Sequence, residues 1–139
     1  MDKKFFIAVV VIFIACMLEG FVVHAAILGS DYARLGAMFR GQDEQVALMP
    51  FMLLGHVFLA FAFVWIYVRG RETKPFLAQG LRYGLAISLV ATTPTYLIYY
   101  AVQPLPGMLV ASQIVLDTIG YLALGVLVAW LYREPAAAA

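Results

Sequence analysis

An apolar run from Phe5 to Leu28 constrains this chain more than any other feature, because it holds a single charged residue, Glu19. A run of about 20 apolar residues is the length that an α-helix needs to cross the hydrocarbon core of a bilayer. The run is too long for the core of a signal peptide, so we expect it to be retained as a transmembrane helix. A carboxyl group at the centre of a bilayer costs about 2.5–3.5 kcal/mol on insertion scales. We therefore expect Glu19 to be neutralised, paired inside a bundle or part of a functional site.

The rest of the chain repeats this apolar pattern. Hydrophobic residues make up 65% of the 139 residues and charged residues 12%, whereas soluble domains hold about 45–50% apolar and ~25% charged residues. We predict spans at about residues 5–28, 46–68, 76–101 and 108–132, a kink at Pro94 and an interfacial helix at 33–39. The predicted fold is all-α: one domain over residues 1–139, an up-down-up-down bundle of four transmembrane helices.

The distribution of basic residues predicts the orientation in the membrane. Loops that face the cytoplasm are enriched in Lys and Arg. If both termini lie inside, the inner side holds seven of the nine basic residues. These are Lys3, Lys4, Arg69, Arg71, Lys74, Arg82 and Arg133, against Arg34 and Arg40 outside. We therefore predict an N-in, C-in topology and a multi-pass protein of the inner (cytoplasmic) membrane.

Polar residues from all four predicted spans fall at one depth. Counted from the inner end of each span, the depths are ~21 Å for Glu19, ~18 Å for His56, ~24 Å for Thr92 and ~22 Å for Asp117. Gln113 lies one helical turn outward of Asp117 on the same face. His24, at ~28 Å, and Arg82, whose side chain can reach the headgroups, are second-rank candidates. We predict that Glu19, His56, Thr92, Gln113 and Asp117 form an intramembrane polar layer.

This polar layer has three open interpretations. It is a structural lock of interhelical hydrogen bonds, each worth ~0.6–2 kcal/mol, a functional site for a proton, metal ion or small ligand, or a face that docks a partner. As metal ligands, Glu19, His56 and Asp117 suit Zn, Mn or Fe, but each comes from a different helix. We expect no resident cofactor, with a metal ion or a lipophilic cofactor as the alternatives.

A stripe of small residues marks one face of the third span. Gly80, Gly84 and Ser88 follow one another at four-residue spacing. Small residues at this spacing let two transmembrane helices approach closely. We predict that the stripe packs against another helix, and an exposed stripe would instead favour a partner subunit.

The chain resembles small uncharacterised bacterial inner-membrane proteins of the domain-of-unknown-function type. The resemblance extends over all four spans and rests on three short segments: Phe21-Val22-Val23-His24, Gly55-His56, and Pro94-Thr95-Tyr96 through Gln103-Pro104-Leu105-Pro106. It implies a four-helix membrane protein with short loops. None of these segments has known chemistry, so the resemblance assigns no site residue.

Function is predicted only as a class. We favour a non-enzymatic accessory subunit or scaffold, whose polar layer locks the helices or docks a partner. The alternatives are a small transporter or proton- or ion-conducting protein that uses Glu19, His56 and Asp117, and a membrane enzyme or cofactor binder at the same layer. Expected partners are the lipid bilayer and a homo-oligomer or larger membrane complex. The net charge of +1 gives no reason to expect nucleic-acid binding.

Overall fold

Four long apolar helices make up the architecture of the computed structural model, which describes residues 2–133. Span 1 is Lys3–Ile27, span 2 is Met49–Gly70, span 3 is Phe76–Val102 and span 4 is Gly107–Leu131. Each is long and apolar enough to cross a bilayer, and the described residues contain no strand. The predicted all-α, four-span membrane protein is confirmed at this level. The predicted single domain also includes positions 134–139, which lie outside the described residues.

The first loop differs from its prediction. In place of one interfacial helix at 33–39, the chain forms a helix at Gly29–Arg34, a 3-10 turn at Gly36–Met38 and a helix at Gln42–Ala47. Helical structure resumes at Gly29, directly after span 1, because only Leu28 departs from helical geometry there (φ −93°, ψ 0°). The span ends differ from the expected ones by at most three residues.

Two spans are irregular in the half that adjoins this loop. Span 1 is α-helical to Gly20 and continues as a π-helix over Phe21–Ile27. Span 3 is interrupted at Thr92, two residues before Pro94. A break at this point is expected because proline lacks an N–H and its ring crowds the preceding turn of the helix. The Thr95 hydroxyl donates to the Ala91 carbonyl at 2.6 Å, so a side chain provides the hydrogen bond to a backbone carbonyl group at the break.

Spans 3 and 4 approach each other closely enough for their backbones to touch. A Cβ atom on Gly80 would lie 2.6 Å from the Gly125 carbonyl oxygen, and Gly84 is similarly placed against Tyr121. One turn further along, the Ser88 and Thr118 hydroxyls are 2.8 Å apart. The small-residue stripe of span 3 is therefore occupied by span 4.

An apolar core fills one half of the bundle. Ile12, Val64 and Val128 are fully buried at its centre, between spans 1, 2 and 4. Near this core, Lys4 and Arg71 both lie against the Tyr132 ring, so we call this end of the bundle the basic end. The opposite end, next to residues 28–48, is called the loop end. The polar residues of the predicted layer lie between the core and the loop end.

Candidate functional site

Asp117 of span 4 is the centre of a polar network inside the bundle. Its side chain is buried, with the whole residue 7% exposed. The Tyr96 hydroxyl of span 3 donates to Oδ2 at 2.8 Å. His24 Nε2 of span 1 lies 3.4 Å from Oδ1. One carboxyl group thus connects three of the four spans.

The loop after span 1 extends this network to His24 Nδ1 through Tyr32. The amide nitrogen of Gln113 donates to the Tyr32 hydroxyl at 2.8 Å, and the same hydroxyl lies 2.8 Å from His24 Nδ1. Burial raises the pKa of Tyr32 above its ordinary value of 10.0, so the hydroxyl keeps its proton at neutral pH. A hydroxyl that accepts from Gln113 can at the same time donate to Nδ1 or accept from it. When Tyr32 donates to Nδ1, a neutral imidazole carries its proton on Nε2, toward Asp117.

The π-helix explains why His24 reaches this network. His24 comes five positions after Glu19, an offset that in a regular α-helix places the two side chains roughly 140° apart around the axis. The wider turn of Phe21–Ile27 brings His24 round to the interior that Glu19 faces. Single π-turns of this kind are frequent at functional sites.

Glu19 occupies space beside Gly120, which has no side chain to fill it. A Cβ atom on Gly120 would lie 2.6 Å from Glu19 Cγ, so the carboxyl group rests on the backbone of span 4. Its Oε1 atom is buried and has no hydrogen-bond partner among the described residues. Gly120 is one helical turn from Asp117, which places the two carboxyl groups on neighbouring parts of the same interior.

A cleft of about 440 Å³ adjoins these groups and has walls from all four spans. We call it the central cleft. Glu19, His24, His56, Thr92 and Asp117 line it. Its other walls are mostly apolar or aromatic, and they include the exposed residues Met52, Thr95 and Tyr99 of spans 2 and 3. The central cleft is therefore open to the surroundings between spans 2 and 3.

A second, larger cleft of about 850 Å³ lies at the loop end. It shares His24, Tyr96 and Tyr99 with the central cleft, so the two clefts meet at the His24–Asp117–Tyr96 network. Gln113 lines this loop-end cleft rather than the central one. Toward the basic end, by contrast, the fully buried Ile12, Val64 and Val128 close the interior.

The polar groups around the two clefts are incompletely satisfied. Glu19 Oε1 and Gln113 Oε1 are buried and lack a hydrogen-bond partner among residues 2–133, and so does Asp117 Oδ1 apart from its ion-pair contact with His24 Nε2 at 3.4 Å. Most buried side-chain oxygens in proteins have a hydrogen-bond partner. These three belong to residues that line a cleft, where a bound molecule could reach them.

The structure places the other predicted site residues as follows. His56 lines the central cleft but its Nδ1 bonds the Met52 carbonyl at 2.8 Å rather than a carboxyl group. Thr92, 5% exposed, lines the same cleft. Arg82 is near the basic end, where its Nε donates to the Ala78 carbonyl at 3.2 Å, and it is not part of the site. Within the described residues no three His, Cys, Asp or Glu side chains are grouped to hold a metal ion.

Three tyrosines of the site were not anticipated from the sequence. Tyr32 and Tyr96 bond His24 and Asp117, and Tyr121 lines the central cleft. One available signal was spacing, since Tyr121 follows Asp117 by four residues and shares its helix face. Tyr96 lies beyond the break at Thr92, and Tyr32 belongs to a loop, so helical counting carried no information about either.

Comparison with known proteins adds no relative, because the chain matches no protein-family model, no curated protein and no solved structure.

Proposed function

We propose that this protein binds a small amphipathic molecule inside the membrane, in the central cleft. One observation carries the proposal: buried carboxyl and amide oxygens without partners lie beside clefts whose walls are otherwise largely apolar. Ligand sites in proteins commonly combine an apolar wall with a few convergent polar groups. A pure structural lock would be expected to pair its own polar groups, since an unpaired buried group costs about 1–3 kcal/mol.

The chemistry of the lining suggests the class of ligand. In the central cleft, Glu19 Oε1 and Asp117 Oδ1 are suited to accept hydrogen bonds, and Gln113 Oε1 is suited to do so in the adjoining loop-end cleft. Tyr96, Tyr99 and Tyr121 add aromatic rings, which attract cations. The proposed ligand therefore carries an amine or another hydrogen-bond donor on an apolar body.

The proposed arrangement in the membrane follows from charge. We propose that the spans run up, down, up and down across the inner (cytoplasmic) membrane, with both termini and the basic end on the cytoplasmic side. Lys and Arg favour that side, and the loop end then faces outward. The ligand would enter from the outer half of the bilayer between spans 2 and 3, or through the loop-end cleft. The apolar core at Ile12, Val64 and Val128 supports a one-sided binding site over a continuous conduction path.

A structural and accessory role is the second candidate. It is favoured by the hydrogen bond between Ser88 and Thr118 and by the Gln113–Tyr32–His24 chain, which ties the first loop to spans 1 and 4. Docking of a partner through the Gly80/Gly84/Ser88 stripe is not part of this proposal, because all three residues are buried against span 4.

A ligand series with one tail and three head groups tests the proposed function. Purified protein in an uncharged maltoside detergent is titrated with decylamine, decanol and decanoate, and the unfolding temperature is followed by intrinsic fluorescence. We expect decylamine to stabilise most and decanoate least. In the Glu19→Gln/Asp117→Asn variant this preference should disappear, while the exposed variant Glu72→Gln keeps it. Equal responses to the three probes, or an unchanged preference in the double variant, would refute the proposal.

A further inference from the structure

A separate cavity of about 550 Å³ lies at the basic end, on the far side of the apolar core from the central cleft. Its walls come from the ends of spans 2, 3 and 4 and from the turn between spans 2 and 3. We call it the basic-end cavity. It shares no lining residue with the central cleft, and it does not depend on the function proposed above.

Two arginines at this cavity have no carboxylate partner within residues 2–133. Arg71, Lys74 and Arg133 line the cavity. Lys74 pairs with Glu72, the one carboxylate of the lining, and this hydrogen bond lowers the pKa of Glu72. No ion pair within the described residues includes Arg71 or Arg133. The cavity therefore offers two positive charges that Glu72 does not neutralise.

Aromatic rings hold these two arginines in place. Arg71 Nη1 donates to the Tyr132 carbonyl at 3.3 Å, and its Cζ lies 5.2 Å from the centre of the Tyr132 ring. Arg133 Cζ lies 4.8 Å from the centre of the Trp130 ring. Guanidinium groups held in this way lose little freedom when they bind an anion, and their planar forks match two phosphate oxygens at once.

Two further groups lie at Tyr132: a third cation, which is Lys4, and the hydroxyl of Tyr132 itself. Lys4 Nζ of span 1 lies 5.0 Å from the centre of its ring. The Tyr132 hydroxyl is buried and has no hydrogen-bond partner among the described residues. A carboxylate, Asp2, also lies near Tyr132, and its Oδ1 accepts from the Phe5 N–H at 2.9 Å at the start of span 1. The surroundings thus combine cations with a hydrogen-bond donor, as a phosphate group requires.

We infer that the basic-end cavity binds the phosphate group of an anionic phospholipid, with Arg71 and Arg133 as its principal ligands. The position of the cavity favours a lipid over free phosphate as the source of the phosphate group. The cavity lies where four membrane-spanning helices end, beside the interfacial residues Trp130 and Tyr132, at the level of the lipid headgroups. Basic pockets between helix ends on the cytoplasmic side commonly receive such headgroups. Free phosphate has the same chemistry, and the experiment separates the two sources.

The test is native mass spectrometry of the whole protein released from maltoside micelles that contain a defined lipid. Phosphatidylglycerol and phosphatidylcholine of equal chain length are compared. We expect retained phosphatidylglycerol, little phosphatidylcholine, and roughly 25-fold weaker phosphatidylglycerol binding in Arg71→Gln/Arg133→Gln, at roughly 5-fold for each lost charge near the membrane surface. Arg71→Lys/Arg133→Lys should bind at an intermediate level, because lysine keeps the charge and loses the planar fork.

Arg69→Gln is the matched control. Arg69 also ends span 2, but it lies over Trp65 and does not line the cavity, so its loss should leave binding unchanged. An equal loss in Arg69→Gln would show diffuse attraction of charges and overturn the inference. Equal retention of the two lipids, or displacement of phosphatidylglycerol by millimolar inorganic phosphate, would also overturn it. Circular dichroism of each variant shows that the fold is intact.

Discussion

His24 and Asp117 meet with Nε2 3.4 Å from Oδ1, although counting along their helices puts the two residues at depths that differ by ~6 Å. Side chains on an α-helix lean toward the N-terminus of that helix. His24 therefore leans toward the start of span 1, and Asp117 toward the start of span 4. In the proposed antiparallel arrangement these two directions point at each other, and the π-turn of span 1 completes the approach.

Removing the Asp117 carboxyl group should destabilise the bundle. In Asp117→Ala the Tyr96 hydroxyl loses its acceptor and His24 loses its neighbour. We expect a decrease of about 1–3 kcal/mol in the free energy of unfolding, the usual effect of a buried group left unpaired. Unfolding in mixed micelles with increasing dodecyl sulfate measures it. Asp43→Ala, at an exposed loop position, is the control, and equal stability of the two variants would contradict the network.

Side chains added at the contact of spans 3 and 4 should force the two helices apart. Gly80→Ala and Gly125→Ala each place a methyl group against backbone of the other helix, and overpacking of this kind costs about 1–3 kcal/mol. Gly55→Ala is the matched control, because its Cβ would have no neighbour within 4 Å. We expect that control to be neutral or slightly stabilised in the same unfolding assay. A neutral Gly125→Ala would show that the helices do not touch there.

The space that Gly120 leaves for Glu19 can be tested by a double-mutant cycle. Gly120→Ala should destabilise the protein and displace the Glu19 carboxyl group, since the added Cβ would lie 2.6 Å from Glu19 Cγ. In a Glu19→Ala background the same change should cost much less, because the colliding atoms are gone. Residues in contact typically show coupling energies of about 0.5–3 kcal/mol. Additive effects of the two changes would contradict the predicted contact.

Accessibility labelling tests the proposed topology. In a Cys16→Ala background, single cysteines at Gly41 and Thr73, both exposed, should react with a membrane-impermeant maleimide from opposite sides of the membrane. Gly41→Cys should label in intact cells, and Thr73→Cys only after the membrane is opened. The parent protein with Cys16, which is 3% exposed, should label in neither condition. Labelling of both positions from one side would exclude the up-down arrangement.

Helical counting from the sequence was sufficient for the number of spans and for four polar residues of the central cleft. Glu19, His56, Thr92 and Asp117 all line that cleft, as residues at one depth on four helices would. Counting failed where the backbone departs from the α-helix. His24 was placed too far out because its π-turn and its side-chain direction are not visible in residue spacing.

The sequence also did not predict which hydrogen-bond partner each polar side chain has. His56 shares the depth of Glu19 yet bonds the carbonyl of Met52 on its own helix, since depth says nothing about which way a ring turns. Gln113 was expected beside Asp117, but it bonds Tyr32, which an irregular loop brings over the bundle. Loop conformation of this kind is set by tertiary contacts, and no periodic pattern records it.

The glycine contact between spans 3 and 4 also has a mechanical consequence. Where backbone meets backbone, as at Gly80 and Gly125, no side chains lie between these two helices that could rearrange, so we expect them to move there as one rigid unit. Span 2 is hydrogen-bonded to span 3 near the basic end, where Tyr67 bonds Gln79 and Tyr83 bonds the Phe63 carbonyl, and it also packs along span 1. We therefore expect any widening of the central cleft to separate spans 2 and 3 at the loop end.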